Sequence, residues 1–207
     1  MHTPTTFAGL AAAVAAAAPR LGGTRLVCVD GPAGSGKTTF AGRLADALAA
    51  RGTSATVLHL DDVYAGWTLA GAADRVAAGV LAPLREGRPG AVPRYDWTAG
   101  RFAGVVDVPV TPVLVVEGCG SAPRSVDPHA VLRIWVEAPP GLRLRRGLDR
   151  DGETMRDHWL RWLDQEAAEF AAEDTRARAD LRVDGAPAVP DGPGHFTALD
   201  RDGALRS

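Results

Sequence analysis

The sequence is poor in cysteine and has no long apolar run. Its two cysteines, Cys28 and Cys119, lie in or just after strand-like apolar runs and lack the paired spacing of a metal site. We expect both to be reduced, buried thiols, which favours a cytoplasmic location. No run approaches the roughly 18 apolar residues of a membrane span, and the alanine-rich segment 7–19 lacks the basic start of a secretion signal. We therefore interpret segment 7–19 as a helix packed on the side of the domain.

The chain also lacks an excess of positive charge. Its formal net charge is −2 at pH 7, whereas general nucleic-acid and membrane-surface binders need a basic excess. We therefore expect no nucleic-acid partner and no membrane partner. A hydrophobic content of 46% over 207 residues is ample for a core, and this length favours one domain with at most a small lid.

A glycine-rich stretch, GPAGSGKTT, has the spacing of a phosphate-binding loop. It lies between the apolar run 25–30 and a helix-patterned segment, and this strand and helix setting disfavours a plain glycine turn. Glycines let backbone N–H groups point into one concavity, Lys37 reaches the β and γ phosphates, and the Thr38 hydroxyl binds Mg²⁺. The predicted ATP-binding residues are Gly31, Ala33, Gly34, Ser35, Gly36, Lys37, Thr38 and Thr39.

Apolar runs recur along the chain with helical or irregular segments between them. This alternation is typical of a parallel sheet with crossover helices. We predict a three-layer α/β/α fold of the P-loop NTPase type, with a five-stranded, mostly parallel sheet. The predicted strands are 25–30, 56–60, 112–118, 130–138 and 179–185.

Acidic residues stand at the ends of two predicted strands. Asp61 and Asp62 follow the second strand and Glu117 closes the third, and ligands gather outside the carboxyl ends of parallel strands. A carboxylate there binds Mg²⁺ or accepts a proton from an attacking hydroxyl. A solvated turn is the alternative interpretation for the two aspartates. We predict a Mg²⁺ site formed by Thr38, Asp61 and Glu117.

A long segment of about 62–111 has the composition of a working part rather than of a connection. It contains a helix candidate at 71–84, followed by a stretch rich in Gly, Pro and Arg. Irregular insertions of this length are uncommon in compact domains unless they have a function. We therefore expect this insertion to bind the phosphate acceptor.

A second segment, about 141–156, is rich in arginine. Arg143, Arg146 and Arg150 have helical spacings of three and four residues, so they share one face. Cationic side chains that close over a moving phosphoryl group stabilise its charge. We predict an arginine-rich lid here, although such a helix taken alone is more often a solvated face.

The last part of the chain combines a helix pattern with a tail. Trp159, Leu163, Ala167 and Phe170 have the spacing of a helix that packs on a core. Pro and Gly dominate from Ala186 onward, which indicates a loosely ordered tail. We expect a single P-loop domain over residues 1–185 and a C-terminal tail over 186–207.

Taken together and in order, the motifs GPAGSGKTT, DDVY, PRYDW, VVEG and RLRRGLDRD resemble those of the uridine kinase and phosphoribulokinase group of P-loop kinases. The resemblance covers about residues 25–185. It implies that Asp61 is the base towards the acceptor hydroxyl and helps to hold Mg²⁺, that Tyr64 lines the acceptor site, and that Glu117 lies near Mg²⁺. It also implies lid cations after the fourth strand and an adenine contact at the loop 185–188. The predicted catalytic residues are Lys37, Asp61, Arg143, Arg146 and Arg150, with ATP and Mg²⁺ as cofactors.

One part of this family pattern is missing. Uridine-cytidine kinases typically follow YDF with a short run that contains a His and then an Arg, and the His reads the pyrimidine edge. The corresponding YDWTAGRF here has no His and is one residue shorter. Trp67 or Trp97 could stack on a planar group, with packing as the alternative for each. The predicted acceptor-binding residues are Asp61, Tyr64, Tyr95, Asp96 and Arg101.

These features predict an ATP-dependent kinase that transfers the γ-phosphate to a hydroxyl of a nucleoside-like acceptor. A pantothenate-like acceptor, a sugar alcohol and a nucleoside monophosphate remain alternatives, and the last would need a phosphate clamp from Arg88, Arg94 and Arg101. The alternative from another class is a regulatory ATPase, against which the Glu-Gly end of the third strand argues. The sequence leaves open the oligomeric state and the preference for ATP over GTP.

Overall fold

The computed structural model describes residues 5–189 and 191–200. The predicted domain and tail therefore extend beyond the described residues, at 1–4, 190 and 201–207. The strands are β1 (Arg25–Asp30), β2 (Ala55–His59), β3 (Gly90–Asp96), β4 (Arg101–Val108), β5 (Val113–Glu117), β6 (Ala130–Glu137), β7 (Leu181–Asp184) and β8 (Thr197–Leu199).

Six of these strands form the central sheet, in the order β2-β5-β1-β6-β7-β8. The first five are parallel, and β8 pairs antiparallel with β7. The carboxyl ends of the parallel strands therefore meet at one edge, where Asp30 and Glu117 end their strands and Asp61 follows β2. This edge is where the candidate site lies.

Helices cover both faces of this sheet. They are α1 (Phe7–Ala16), α2 (Lys37–Ala49), α3 (Ala72–Val76), α4 (Ala82–Arg85), α5 (Pro140–Asp151), α6 (Arg156–Glu173) and α7 (Thr175–Arg178). Short 3₁₀ turns at Leu60–Asp62, Arg124–Val126 and Glu153–Met155 and a π-helical turn at Ala77–Leu81 complete the list. Among the described residues, no helix combines the length and the apolar character needed to cross a membrane.

Alternate side chains of β1 build two separate cores. Leu26 and Cys28 pack into a buried cluster with residues of α3, α4 and α6, whereas Val27 and Val29 pack into a second cluster with residues of α1 and α2. Successive side chains of a strand point to opposite faces, so a strand that is apolar throughout suits a sheet covered on both sides. The predicted three-layer α/β/α fold with a mostly parallel sheet is confirmed.

Within the insertion, β3 and β4 form a two-stranded antiparallel ribbon outside the main sheet. The helix candidate at 71–84 is present as α3, the π-helical turn and α4. The ribbon approaches this helical segment very closely, because a Cβ atom at Gly79 would overlap the carbonyl oxygen of Ala91 and one at Gly90 would lie 2.6 Å from the Gly79 carbonyl oxygen. Glycine at both positions therefore lets the helix hold the ribbon in place.

The sheet has six strands rather than the predicted five. The additional strand, β8, is three residues long and lies in the segment that the sequence analysis assigned to a loosely ordered tail. Just before it, the Phe196 ring packs against Phe7 and Phe40, with ring centroids 5.2 and 5.3 Å apart. Three residues are too few to show alternation, and the surrounding Pro and Gly indicate a loop, so the strand could not be predicted from sequence pattern.

The buried face of α6 differs from the predicted stripe. Trp159, Trp162 and Glu166 are buried, whereas Ala167 of the predicted stripe is exposed. A carboxylate is buried only where it has partners, and these partners come from distant parts of the chain. The predicted stripe is therefore right for Trp159 and for Phe170, which packs against the core, while the buried face extends towards Trp162 and Glu166 instead of Ala167.

Candidate active site

The phosphate-binding loop connects β1 to α2, and glycine sets its backbone conformation. Gly31, Gly34 and Gly36 have φ angles of 137°, 76° and 104°, values that other residues rarely adopt. Gly36 precedes the first residue of α2 and has no side chain to cap it, so the first-turn N–H groups of this 13-residue helix are left for another acceptor. A helix start of this kind favours an anion. The loop therefore fits the phosphates that its motif predicts.

A cleft of about 1150 Å³ opens beside this loop. Its lining includes six of the eight predicted ATP-binding residues, namely Ala33, Gly34, Gly36, Lys37, Thr38 and Thr39. Gly31 and Ser35 are not part of the lining. The N–H of Gly31 donates to Asp30 Oδ1 at 2.7 Å, and that of Ser35 donates to the Pro32 carbonyl at 3.2 Å. These two residues therefore stabilise the conformation of the loop without lining the cleft.

Lys37 lies at the start of α2 and is 7% exposed. Its Nζ donates to the Pro32 carbonyl oxygen at 3.0 Å and approaches Cys119 Sγ at 3.5 Å. Burial alone would lower the pKa of this ammonium group, but Cys119 and the carboxylates of Glu117, Asp30 and Glu166 raise it on balance. Lys37 is therefore a buried positive charge held against the loop at the wall of the cleft.

Glu117 connects the loop to the end of β2. Its Oε1 accepts a hydrogen bond from the Thr38 hydroxyl at 3.1 Å and lies 2.6 Å from His59 Nδ1. The hydrogen bond to Glu117 raises the pKa of His59. A hydroxyl and a carboxylate held together in this way are oxygen donors of the kind that Mg²⁺ prefers, and Mg²⁺ commonly takes its remaining ligands from water and substrate phosphates. The pair fits a Mg²⁺ ion that accompanies a nucleotide.

Within residues 5–189 and 191–200, no group of three or more His, Cys, Asp and Glu side chains is arranged to hold a metal ion by itself. Thr38, Asp61 and Glu117 nevertheless all line the same cleft. The structure thus brings the predicted metal-binding residues to one place. Their role as ligands stays a prediction.

Asp61 lies on the 3₁₀ turn that follows β2, with its side chain open to the cleft. The cleft walls remove part of its hydration, and this burial, together with the charge of Glu117, raises the pKa of Asp61. Trp97 Nε1 donates to the Asp61 carbonyl oxygen at 2.9 Å, so the ribbon holds the turn. Its neighbour Asp62 lies 3.9 Å from Arg94 at the closest N–O approach.

The structure separates the three predicted lid arginines. Arg146 and Arg150 line the cleft, but Arg143 does not. Arg146 donates to the carbonyl oxygens of Gly34 and Gly185 at 3.0 and 3.2 Å. Arg150 forms a two-pronged ion pair with Asp151. Arg143 instead forms a buried ion pair with Glu166 at 2.8 Å. Its position differs from the prediction, which placed its guanidinium over the cleft.

The predicted acceptor-binding residues are also divided. Asp61 and Tyr64 line the cleft, although Tyr64 is a core residue whose hydroxyl donates to the Cys119 carbonyl at 2.9 Å. The lining does not include Tyr95, Asp96 or Arg101. Asp96 instead accepts the N–H groups of Thr98 and Ala99 at 2.9 Å and caps the turn of the ribbon. Tryptophan side chains line the cleft in place of these three residues.

Four tryptophans line the cleft, namely Trp67, Trp97, Trp159 and Trp162. The Trp67 ring makes edge contacts with the other three at centroid distances of 5.8 to 6.1 Å. His158 stacks on Trp67 at 5.5 Å. Of these rings, the sequence analysis named Trp67 and Trp97 as candidates for stacking and Trp159 as core.

The far end of the cleft is lined by Gly185, Ala186 and Pro187, the loop expected to lie by adenine. A Cβ atom at Gly185 would overlap the Ser35 carbonyl oxygen, so glycine lets this loop lie directly on the phosphate-binding loop. Phe40 and Phe196 line the same end. The adenine contact itself stays a prediction.

Sequence reasoning missed Asp30, His59 and Glu166. Asp30 ends β1 and is fully buried, with its carboxylate accepting the N–H groups of Gly31, Gly120 and Ala122 at 2.7 to 2.9 Å. Burial nevertheless raises its pKa to about 6. An acid that closes an apolar run was a readable signal for Asp30, as it was for Glu117. Glu166 and His59 carried no such signal, because their partners are remote in sequence.

The fold is shared with solved P-loop kinases. A possible uridine kinase from Bacillus stearothermophilus matches with a TM-score of 0.62 and 19% identity, over 85% of this chain and 96% of that one. A candidate fructose transport system kinase from Silicibacter sp. TM1040 matches with a TM-score of 0.60 and 23% identity, over 86% and 99% of the two chains. D-glycerate 3-kinase from Cryptococcus neoformans matches with a TM-score of 0.56 and 15% identity, over 85% and 92%.

At these identities the likeness concerns the fold. The resemblance to uridine kinase-like P-loop kinases that the motifs indicated is confirmed at that level. No family model and no curated protein sequence matches the chain.

Proposed function

We propose that this protein is an ATP-dependent small-molecule kinase that transfers the γ-phosphate to a hydroxyl of a nucleoside-like acceptor. One observation carries the proposal: residues of the phosphate-binding loop, the buried Lys37 and the exposed Asp61 line the same cleft. A phosphoryl donor site and a candidate base for an acceptor hydroxyl are thus within one enclosure. The fold shared with known kinases supports this interpretation.

The loop and Lys37 would hold the phosphates of ATP. The open N–H groups at the start of α2 supply hydrogen bonds to anionic oxygens, and Lys37 supplies a positive charge that is fixed by its contact with Pro32. Charge fixed in advance in a water-poor site stabilises developing charge more strongly than the same group in water. The same contacts therefore serve both binding and transfer.

Mg²⁺ would be held by Thr38 and Glu117, with Asp61 as a direct or water-mediated partner. When bound, the ion neutralises phosphate charge and orients the donor. The hydrogen bond from Thr38 to Glu117 already keeps these donors together. His59 Nδ1 contacts the same Glu117 oxygen at 2.6 Å and helps to keep the carboxylate in this orientation.

Asp61 would act as the base. In the transfer step a bond forms between the acceptor oxygen and the γ phosphorus, the bond from phosphorus to the ADP oxygen breaks, and the hydroxyl proton passes to the Asp61 carboxylate. The raised pKa of Asp61 brings the group closer to the range in which a carboxylate is an effective base. Arg146 and Arg150 at the cleft wall would close over the moving group and exclude water.

The acceptor side supports an acceptor with an uncharged ring. Its walls are tryptophans, and planar apolar rings offer stacking surface rather than charge. The three arginines considered for a phosphate clamp, Arg88, Arg94 and Arg101, are not part of the cleft lining, which weakens the case for a nucleoside monophosphate.

We keep as proposals the lid at about 141–156, the acceptor role of the insertion at about 62–111 and a cytoplasmic location.

The test is ADP release from ATP and Mg²⁺ by the purified protein. The panel comprises nucleosides, nucleoside monophosphates, pantothenate, glycerate and sugars, with water alone as the control. Strong stimulation by an uncharged nucleoside-like compound is the expected result. Stimulation by another class would reassign the acceptor, and ADP release with water alone, unaffected by any acceptor, would replace the kinase by a regulatory ATPase.

A further inference from the structure

Glu166 is the buried acid of α6, and its side chain is 2% exposed. The described cleft lining does not include it. A glutamate is rarely buried unless its charge is paired and its oxygens are hydrogen-bonded. The contacts of its two oxygens therefore show what the residue holds together.

One oxygen of Glu166 contacts the phosphate-binding loop itself. Its Oε2 accepts the backbone N–H of Ala33 at 2.7 Å, across 133 positions of sequence. Ala33 lies between Pro32, whose carbonyl accepts from Lys37, and Gly34, whose carbonyl accepts from Arg146. The glutamate thus fixes the loop at the point between the two cations.

The other oxygen contacts α5. Its Oε1 accepts from Arg143 Nη1 at 2.8 Å, and Arg143 also donates to the carbonyl oxygens of Ala138 and Ala33 at 3.1 and 3.4 Å. Both the N–H and the carbonyl of Ala33 are therefore engaged by the same ion pair. The backbone of α5 also lies against Gly34, since a Cβ atom there would come within 2.6 Å of the Arg143 carbonyl oxygen.

A thiol extends this network to Lys37. Cys119 Sγ lies 3.4 Å from Glu166 Oε2 and 3.5 Å from Lys37 Nζ. Burial raises the pKa of Cys119, so the group is a neutral thiol that donates to the carboxylate and accepts from the ammonium. The loop, the cation held against it and α5 therefore share one buried set of hydrogen bonds.

We infer that Glu166 and Arg143 are positioning residues that preorganise the phosphate-binding loop for nucleotide phosphates. The inference rests on the proposed nucleotide site, and it assigns to Arg143 a different role from the lid cation that its spacing suggested. A loop held in its binding conformation loses less freedom when a ligand binds. The pair therefore acts on affinity for phosphates through the backbone of Ala33, without touching them.

The first test compares ADP binding by calorimetry in the full chain and its variants. Glu166→Gln keeps an acceptor for the Ala33 N–H but leaves the Arg143 charge buried without a partner, so we expect about tenfold weaker ADP binding. Arg143→Met should weaken binding to a similar extent. The double variant removes both charges, and its binding should lie closer to that of the wild type than that of either single variant, because unpaired buried charge is the main defect.

Asp164→Asn is the matched control, since Asp164 is an exposed acid on the same helix. It should bind ADP as the wild type does. If Glu166→Gln and Arg143→Met lower the thermal unfolding midpoint but bind ADP normally, the pair is only structural and the inference is overturned. If Glu166→Gln does not fold, ADP binding is measured instead in Arg143→Lys, which keeps the positive charge.

The second test needs no nucleotide. Hydrogen exchange at the Ala33 amide should be faster in Glu166→Met, which removes the acceptor of this amide, than in the wild type and in Asp164→Asn. Unchanged exchange at Ala33 would overturn the inference. A wild type that binds no ADP would instead refute the proposed function, and the exchange result would still show whether Glu166 holds the loop.

Discussion

The two halves of the cleft are built by different means. The proposed phosphate half, residues 31–39 with Glu117, is held by buried charges around Lys37 and by hydrogen bonds such as that from Thr38 to Glu117. The proposed acceptor half is held by ring edges around Trp67 and by one hydrogen bond from Trp97 to the turn that bears Asp61. Charge fixes position sharply but tolerates no unpaired partner, whereas ring packing tolerates changes of shape. The donor side is therefore expected to be strict and the acceptor side adaptable.

The largest loss of activity is expected from a substitution of Asp61, which lies where the two halves meet. Asp61→Asn should lower kcat for acceptor-stimulated ADP release by about 10²- to 10⁴-fold, because an amide cannot take the hydroxyl proton. Steady-state kinetics with the stimulating acceptor measures the loss. Asp62→Asn is the neighbouring control and should stay within about twofold of the wild type. Full activity of Asp61→Asn would transfer the base role to Asp62.

Lys37→Ala tests the strictness of the phosphate half. It removes the positive charge held against the loop, so we expect about a 10²- to 10³-fold loss of kcat, together with weaker ADP binding that Asp61→Asn does not share. Calorimetry with ADP separates the two variants. Arg51→Ala, at an exposed position after α2, provides the control for loss of one cation. ADP affinity unaltered by Lys37→Ala would show that the phosphate half does not depend on this charge.

Asp30, directly before the phosphate half, tests whether buried charge there carries a stability cost. Its pKa is raised by burial to about 6 from roughly 4 in an unfolded chain. The folded state therefore binds the proton more tightly, so the stability contributed by this group is present below pH 4 and is lost as the pH rises through 6. For this fully buried group the loss amounts to about 3 kcal/mol.

The measurement is the free energy of unfolding in urea at pH 4, 5, 6 and 7 for the wild type and Asp30→Asn. The advantage of the wild type over the variant should shrink by about 2 kcal/mol across this range, because part of the full effect lies below pH 4. Other titrating groups cancel in the difference. A constant difference would mean that the three N–H donors of Gly31, Gly120 and Ala122 keep the Asp30 carboxylate ionised throughout.

The smallest effect is expected in the acceptor half. Trp97→Phe keeps a ring at a position that is 45% exposed and removes the hydrogen bond to the Asp61 carbonyl. We expect about a threefold rise in the acceptor KM and no change in ADP binding. Val105→Ala, at an exposed site on the same ribbon, is the control. A change of ADP affinity in Trp97→Phe would show that the two halves are not independent.

Local patterns predicted the parts of the site that one segment determines. The strand, glycine turn and helix around Lys37 lie within about 25 consecutive residues, and Glu117 closes an apolar run, so both were readable from the sequence. Glu166 and Arg143 were not, because the ion pair joins residues 23 positions apart on different helices and contacts the loop 133 positions away from Glu166. Helical spacing placed Arg143 on a lid face with Arg146 and Arg150, and it gave Glu166 no role. Tertiary contacts, which spacing does not encode, buried them.

The acceptor insertion shows the same limit. Asp96 and Arg101 lie within a few residues of Trp97, which lines the cleft. Asp96 nevertheless accepts the N–H groups of Thr98 and Ala99 in the turn of the ribbon. Trp162 reaches the cleft from α6, some 65 residues after Trp97. Which side chains face the acceptor depends on how ribbon and helix pack together, and this packing has no short sequence signature.

Lys37 is also the one lysine in the sequence, all the other Lys and Arg positions being arginine. Apart from the α-amino group of the chain, an amine-selective reagent therefore has a single side chain to modify. That side chain contacts the phosphate-binding loop at the Pro32 carbonyl. Its low exposure makes modification slow, and a nucleotide bound over it would make it slower still. The unaltered protein thus contains its own reporter of loop occupancy, readable by mass spectrometry.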